Sequence, residues 1–328
     1  MDKIRIGISG YGNIGKGVEL AIARNSDMRL VSIVTRRDPA AIHPVTDGTT
    51  VLAEHELEKL CGKLDVMILC GGSATDLPQQ GPRYAQLFNT VDSFDTHAAI
   101  PAYYEQVDAA AKMGGNLALV SCGWDPGLFS IVRAYGDAIL PQGETYTFWG
   151  KGVSQGHSDA IRRVPGVKNG IQYTVPVDTA VMSVRQGQNP KLTTRQKHLR
   201  QCFVVAEEGA DKNAIETAIK GMPNYFAEYD TSVTFVTEAE LRAKHSAMPH
   251  GGFVFRCGDT GVQDHRHVME FSLKLDSNPE FTASVLAAYA RAVYRMSNRG
   301  QSGCITVLDV PPAALSTKSG EQLRKELL

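Results

Sequence analysis

Gly10-Tyr11-Gly12-Asn13-Ile14-Gly15 is a G-x-G-x-x-G run near the start of the chain. Each glycine answers a separate need: a tight turn, backbone approach to a pyrophosphate, and close packing of a helix on a strand. A helix opening there offers N–H groups and a partial positive charge to phosphates. The hexapeptide alone is a weak sign, and a glycine-rich turn without a ligand is the alternative; a strand before it and a helix after it strengthen the reading. About twenty residues on, an NAD site carries Asp or Glu for the ribose hydroxyls. Here the chain reads Thr35-Arg36-Arg37. Two guanidiniums and a hydroxyl suit a 2'-phosphate, which favours NADP over NAD. A merely solvated arginine pair is the competing view.

These groups need a scaffold, and the pattern supplies one. Short β-rich runs at 4–9, 30–35, 65–70, 89–93 and 117–121 alternate with helical segments. Ile14, Val18, Ala21 and Ile22 recur at helical spacing, with Asn25 as the stop; later helices are expected over 77–88 and 101–113, the second opened by Pro101 and closed by Gly114-Gly115. This is the signature of a Rossmann-type, doubly wound parallel sheet in an α/β fold. After Pro126, strands are expected at 144–149, 171–175, 198–206, 232–236, 253–256 and 268–275. Such a series predicts a second, α+β domain with a mixed sheet. The spacing of Val285, Ala288, Tyr289, Val293 and Met296 marks a helix over 281–296, followed by a strand at 305–308 and a charged helix at 321–328. The expected domains are 1–125 for the dinucleotide, with about 303–328 packing back on it, and 126–302 for the substrate. The polar stretch 151–170 reads as a loop of the site-lining kind.

Composition excludes several function classes. At 328 residues, 43% hydrophobic and 21% charged, the chain has the size of two globular domains and none of the signature of disorder. Thirty-four Lys and Arg against 35 Asp and Glu leave a charge of -1, so no global field draws it to nucleic acid or an anionic membrane. The six cysteines form no C-x-x-C pair and are too sparse for a disulfide framework, which points to a reducing compartment. No secretory segment or run of ~18 apolar residues is present, so a cytoplasmic location is expected. His265 and His267, two apart in a charged run, read as an exposed strand edge with no metal implied.

At this point the chain resembles the meso-diaminopimelate D-dehydrogenases over nearly its whole length. The motifs that carry the likeness are GYGNIG at 10–15, TRR at 35–37, CGGSATD at 70–76, VDSFDTH at 91–97, VSCGWDPG at 120–127, FWGKGVSQGHSDA at 148–160, RQCFVV at 200–205, MPHGG at 248–252 and LKLDSNPEFTAS at 273–284. The resemblance implies reversible NADP-dependent oxidative deamination at the D-centre of meso-2,6-diaminopimelate, giving L-2-amino-6-oxopimelate and ammonia; in reverse this makes the precursor of lysine and of peptidoglycan cross-links. It implies a homodimer, with the second domain also making the dimer contacts. Carried over residue by residue, it places cofactor contacts at Gly10, Tyr11, Gly12, Asn13, Ile14, Gly15, Thr35, Arg36, Arg37, Cys70, Gly71, Gly72, Ser73, Ser93, Phe94, Asp95, Cys122, Gly123, Trp124, Asp125 and Pro126. Substrate contacts fall on Asp95, Asp125, Trp149, Gln155, Gly156, Thr174, Arg200, His250 and Asn278. Cys122 and Ile14 occupy positions that need not be those residues.

That substrate has a carboxylate and an amino group at each end, so charges of both signs must be placed locally. Asp95 and Asp125 follow the fourth and fifth expected strands, at the carboxyl edge of a parallel sheet where open α/β folds put ligands. They suit the reacting amino group, whose proton leaves to a carboxylate or to water; no sole general base is assigned. Asp125 before Pro126 also reads as a helix cap. Arg200 suits the remote carboxylate, because a planar fork reads a planar anion in one orientation. Without the resemblance, His250 reads as a loop residue and Trp149 as core. Rival readings are a dihydrodipicolinate-reductase-like imine reductase and a non-catalytic NADP-sensing protein.

Overall fold

In the computed structural model, residues 2–262 and 265–328 are described. Six strands build the first part of the chain: β1 (Ile4–Ser9), β2 (Met28–Thr35), β3 (Thr50–Ala53), β4 (Val66–Leu69), β5 (Thr90–Asp92) and β6 (Leu117–Leu119). Together with β14 (Gly303–Ile305), near the end of the chain, they form a seven-stranded sheet in the order β14-β6-β5-β4-β1-β2-β3. Every neighbouring pair is parallel. This is the doubly wound order 3-2-1-4-5-6 with one strand added at the β6 edge. Both faces are covered, as parallel sheets require. On β4, Val66 and Ile68 enter one apolar cluster while Met67 and Leu69 enter the other. β3 was not expected from the sequence, because this edge strand is only four residues long and only partly buried.

The chain divides into two units, Met1–Ile131 with Pro279–Leu328, and Val132–Asn278. The boundaries therefore differ from the expected 125/126 and 302/303. Packing explains the second shift: on the helix Asn278–Ser297, Ala283, Leu286, Tyr289, Ala290 and Val293 are buried in the same cluster as Ile6, Ile8 and Val18. A Cβ on Gly17 would lie 2.9 Å from that of Ala283, so this helix and the helix Asn13–Ala23 approach closely. Arg291 ties the contact, pairing with Asp27 at 2.6 Å.

The second unit holds β7 (Gly143–Trp149), β8 (Gly152–Val153), β9 (Val167–Pro176), β10 (His198–Ala206), β11 (Asp230–Phe235), β12 (His250–Thr260) and β13 (His265–Leu275). A four-stranded mixed sheet runs β11-β10-β9-β8 and a three-stranded antiparallel sheet runs β13-β12-β7. His265 and His267 lie exposed on the edge strand β13.

Two local expectations are corrected. The stretch 151–170 is not a loop throughout: it contains β8, the helix Gln155–Arg162 and the start of β9. That helix is amphipathic despite its polar composition, since Ser158, Ala160 and Ile161 bury one face. The strand expected at 305–308 stops at Ile305. Beyond it, the Asp309 carboxylate accepts the Thr306 N–H at 2.8 Å and turns the chain into a 3-10 segment.

Candidate active site

The switch point of the sheet lies between β1 and β4, where successive strands wind in opposite directions. The glycine run leaves β1 at that point. Gly10 has φ +89°, a left-handed conformation that disfavours a side chain. Its N–H is held by the Val34 carbonyl at 2.9 Å. A Cβ on Gly15 would fall 2.1 Å from the Gly10 oxygen, which makes that glycine a packing requirement. Gly12 is exposed, with open space where a Cβ would point, and it caps the helix Asn13–Ala23 without a side chain. Turn, close packing and open approach are thus all realised, and the cradle fits a dinucleotide phosphate.

Thr35 closes β2, buried, and its hydroxyl accepts the Arg37 N–H at 3.1 Å. The two arginines then separate in function. Arg37 Nη2 donates to the Tyr11 carbonyl at 2.6 Å and so braces the glycine turn from outside. Arg36 is exposed and pairs with Asp76 at 2.8 Å. Burial pushes the Asp76 carboxyl up, but the Gly72 N–H and Arg36 outweigh it and leave its pKa below the ordinary carboxylate value. The same carboxylate accepts the Gly72 N–H at 2.9 Å, which shapes residues 70–73 after β4.

Asp95 and Asp125 follow β5 and β6, which are neighbouring parallel strands. Asp95 is exposed, and its N–H donates to Ser73 Oγ at 2.8 Å, joining the loops after β4 and β5. Asp125 is half-buried in the turn before the helix Leu128–Ile139. The Leu128 and Phe129 N–H groups at the start of that helix go to the carbonyls of Gly123 and Trp124, at 3.1 and 2.8 Å. Asp92, at the end of β5, is 1% exposed, and its carboxylate accepts N–H groups from both loops, those of Phe94 at 2.9 Å and Ser121 at 3.0 Å.

In the second unit, Thr174 on β9 faces Arg200 on β10 in direct antiparallel register. Both are buried, and Arg200 Nη1 donates to the Thr174 hydroxyl. The Arg200 guanidinium carbon lies 3.8 Å from the Tyr229 ring centroid, a cation–π contact. Its buried Nε has no hydrogen-bond partner among the described residues, and burial lowers the Arg200 pKa. His157 and His198 are held neutral by burial and then by the Arg200 charge, at about 4 and about 3.

The remaining expected substrate residues gather along the ends of β7, β8 and β12. Thr174 pairs with Gly152, and a Cβ on Gly152 would meet the His250 ring at 2.3 Å. Trp149 is half-buried, paired with Gly252, and its backbone N–H donates to His198 Nε2 at 2.8 Å, with the two rings stacked at 5.2 Å. Gln155 and Gly156 are exposed in the first turn of their helix, and Gln155 Nε2 reaches Met248 Sδ at 3.3 Å. The Asn278 N–H donates to the Met248 carbonyl at 2.9 Å. Strand register thus assembles Trp149, Gln155, Thr174, Arg200, His250 and Asn278 around β8 from distant parts of the chain.

The chain is 60% identical over 328 residues to the meso-diaminopimelate D-dehydrogenase of Ureibacillus thermosphaericus, with 100% of each protein covered. The chain belongs to the meso-diaminopimelate D-dehydrogenase family. Residues 123–277 match the family described as the diaminopimelic acid dehydrogenase C-terminal domain. Two solved structures are similar throughout. A mutant meso-diaminopimelate dehydrogenase from Clostridium tetani E88, determined with DAP, shares 56% identity at TM-score 0.95, covering 99% of this chain and 100% of that one. An engineered D-amino acid dehydrogenase bound to NADP+ shares 45% identity at TM-score 0.87, with the same coverage. Meso-diaminopimelate D-dehydrogenases are oxidoreductases, and a nicotinamide cofactor is the group that the cradle of Gly10, Gly12 and Gly15 suits.

Three residues of this family member escaped the sequence reading. Tyr229 stands just before β11 in a segment without a motif, and only the parallel register of β10 with β11 brings it under Arg200. His198 opens β10, and its contact with Trp149 is visible only in the fold. Asp92 lies inside the VDSFDTH motif, but nothing in its type distinguishes it there from an ordinary turn former.

Proposed function

We propose that this chain catalyses the reversible NADP-dependent oxidative deamination of meso-2,6-diaminopimelate at its D-centre, giving L-2-amino-6-oxopimelate and ammonia. The observation that carries the reading is the buried Arg200 guanidinium, whose contacts among the described residues are a hydroxyl and a ring rather than a carboxylate and whose Nε has no partner there. A buried cation without an anion is costly, and a substrate carboxylate supplies the missing partner. Thr174, His250 and Asn278 add hydrogen bonds at that remote end, and Trp149, Gln155 and Gly156 complete the substrate contacts. Asp95 and Asp125 hold the D-centre amino group, which must be unprotonated before its carbon can release hydride. The proton leaves to a carboxylate or to water. Bound NADP supplies the hydride acceptor; the imine left on the substrate then takes up water and releases ammonia.

The 2'-phosphate falls to Arg36 and Arg37, with Thr35, because two guanidiniums stand where an NAD site carries an acid. Replacing both arginines by glutamine raises KM for NADP roughly tenfold to hundredfold, the loss of charge-assisted bonds, and KM for NAD much less. Equal effects on the two cofactors in steady-state assays count against a phosphate site. The functional unit is a homodimer, as the family likeness implies. Six free cysteines suit a reducing cytoplasm.

The decisive assay follows NADPH formation at alkaline pH with the meso, LL and DD isomers of diaminopimelate. Turnover of the meso isomer with rejection of LL, which has no D-centre, is the outcome expected. Turnover of LL, or none with meso alongside reduction of a cyclic dihydropyridine, overturns the proposal.

A further inference from the structure

Asp92 is a buried carboxylate that the chemistry just described does not use. Its Oδ1 accepts the Phe94 N–H at 2.9 Å and the Ser121 N–H at 3.0 Å. Oδ2 accepts the Tyr103 hydroxyl at 2.7 Å, and the Asp92 backbone carbonyl accepts the Cys122 N–H at 2.8 Å. The Phe94 ring stacks on Tyr103 with centroids 4.1 Å apart. One residue therefore binds the chain leaving β5, the chain leaving β6 and the helix Ile100–Gly114 that covers them. Every group its carboxylate touches is a neutral donor. Burial pushes its pKa up, against the pull of the three donors. Keeping a carboxylate there has an energetic cost that an apolar side chain would avoid. What it secures is the loops that leave two neighbouring strands, fixed to a single oxygen atom just before Asp95 and Asp125.

We propose that Asp92 is a positioning residue for the reaction, clasping residues 93–95 and 121–125 so that Asp95 and Asp125 keep one mutual placement. This rests on the reading of those two aspartates given above. Misplacement by about 1 Å in a site of this kind costs on the order of a hundredfold in rate. Asp92→Ala therefore lowers kcat for meso-diaminopimelate by roughly tenfold to hundredfold, measured well below its Tm. KM for that substrate, governed by the Arg200 end, changes less than about threefold by the same argument.

Asp92→Asn retains an oxygen for the Phe94 and Ser121 N–H groups and turns its amide towards the Tyr103 oxygen, so it restores most of kcat. Should the alanine variant fail to fold, Asp92→Ser, with one short hydroxyl in place of the two-pronged group, carries the same expectation. Native kcat with only a lowered Tm overturns the proposal, and so does an asparagine variant as slow as alanine. Asp95→Asn and Asp125→Asn assayed alongside separate the two ideas. If both keep native rates, the reading of the aspartates fails; if they are slow while Asp92→Ala is native, only the clasp fails.

Discussion

Arg200→Met raises KM for meso-diaminopimelate by roughly 30-fold to several-thousand-fold, about 2 to 5 kcal/mol, the usual loss when one partner of a desolvated charge pair is removed. The geometry favours an effect of this size. Arg200 is 7% exposed, its guanidinium set by Thr174 on one edge and by the Tyr229 face at 3.8 Å. Its orientation is therefore fixed before substrate arrives, so little rotamer entropy is lost on binding. Methionine fills similar space without charge, and an apolar group carries none of the desolvation cost of a buried cation. An unchanged or higher Tm beside the raised KM thus separates a binding role from a structural one. Discrimination should fall too: the ratio of kcat/KM for meso-diaminopimelate over a D-amino acid without a remote carboxylate collapses towards unity. An unchanged KM removes Arg200 from the site and, with it, the observation on which the substrate reading stands.

The parts of this site visible in the sequence are those where a residue type is demanded by backbone geometry or by the ligand itself. Gly10 and Gly15 could be read in advance because a positive φ and a 2.1 Å approach leave no other choice. The arginine pair was visible as charge, but its division of labour was not. Arg37 binds the Tyr11 carbonyl and Arg36 pairs with Asp76, and both partners are set by how two strands and a loop meet. Burial hides information in the same way. Asp92 and Tyr229 are unremarkable as letters and become informative only when one is sealed under a helix and the other lies beneath a guanidinium.

The fold shows a similar boundary. The parallel sheet was legible because β4 and β6 are apolar on both faces and β1 carries Ile4, Ile6 and Ile8 on one, whereas the edge strand β3 is four residues long and only half-buried. The helix Gln155–Arg162 hid behind a polar composition, since three small or branched residues suffice to seat it on β9. Helix Asn278–Ser297 was found by its period, but periodicity does not say which core a helix joins, and it packs with β1 rather than closing the second unit.

Asp125→Asn lowers kcat/KM for meso-diaminopimelate by roughly a hundredfold or more, within the span set by loss of a positioned acid or base. An amide matches the carboxylate in shape, so the turn holding it is kept, but it cannot take a proton and carries no charge to orient an ammonium group. The competing account makes Asp125 a cap for the helix Leu128–Ile139. At the start of that helix the Leu128 and Phe129 N–H groups are bound by the carbonyls of Gly123 and Trp124, and Ser130 Oγ accepts the Gly127 N–H at 3.1 Å. Asparagine is itself a good cap, so a capping role forecasts near-native activity and a Tm within a few degrees of the parent. A catalytic role forecasts the same Tm with a collapsed rate. The rate, measured on a variant whose Tm shows it to be folded, therefore decides between them, and near-native turnover returns Asp125 to the scaffold and leaves Asp95 to hold the amino group.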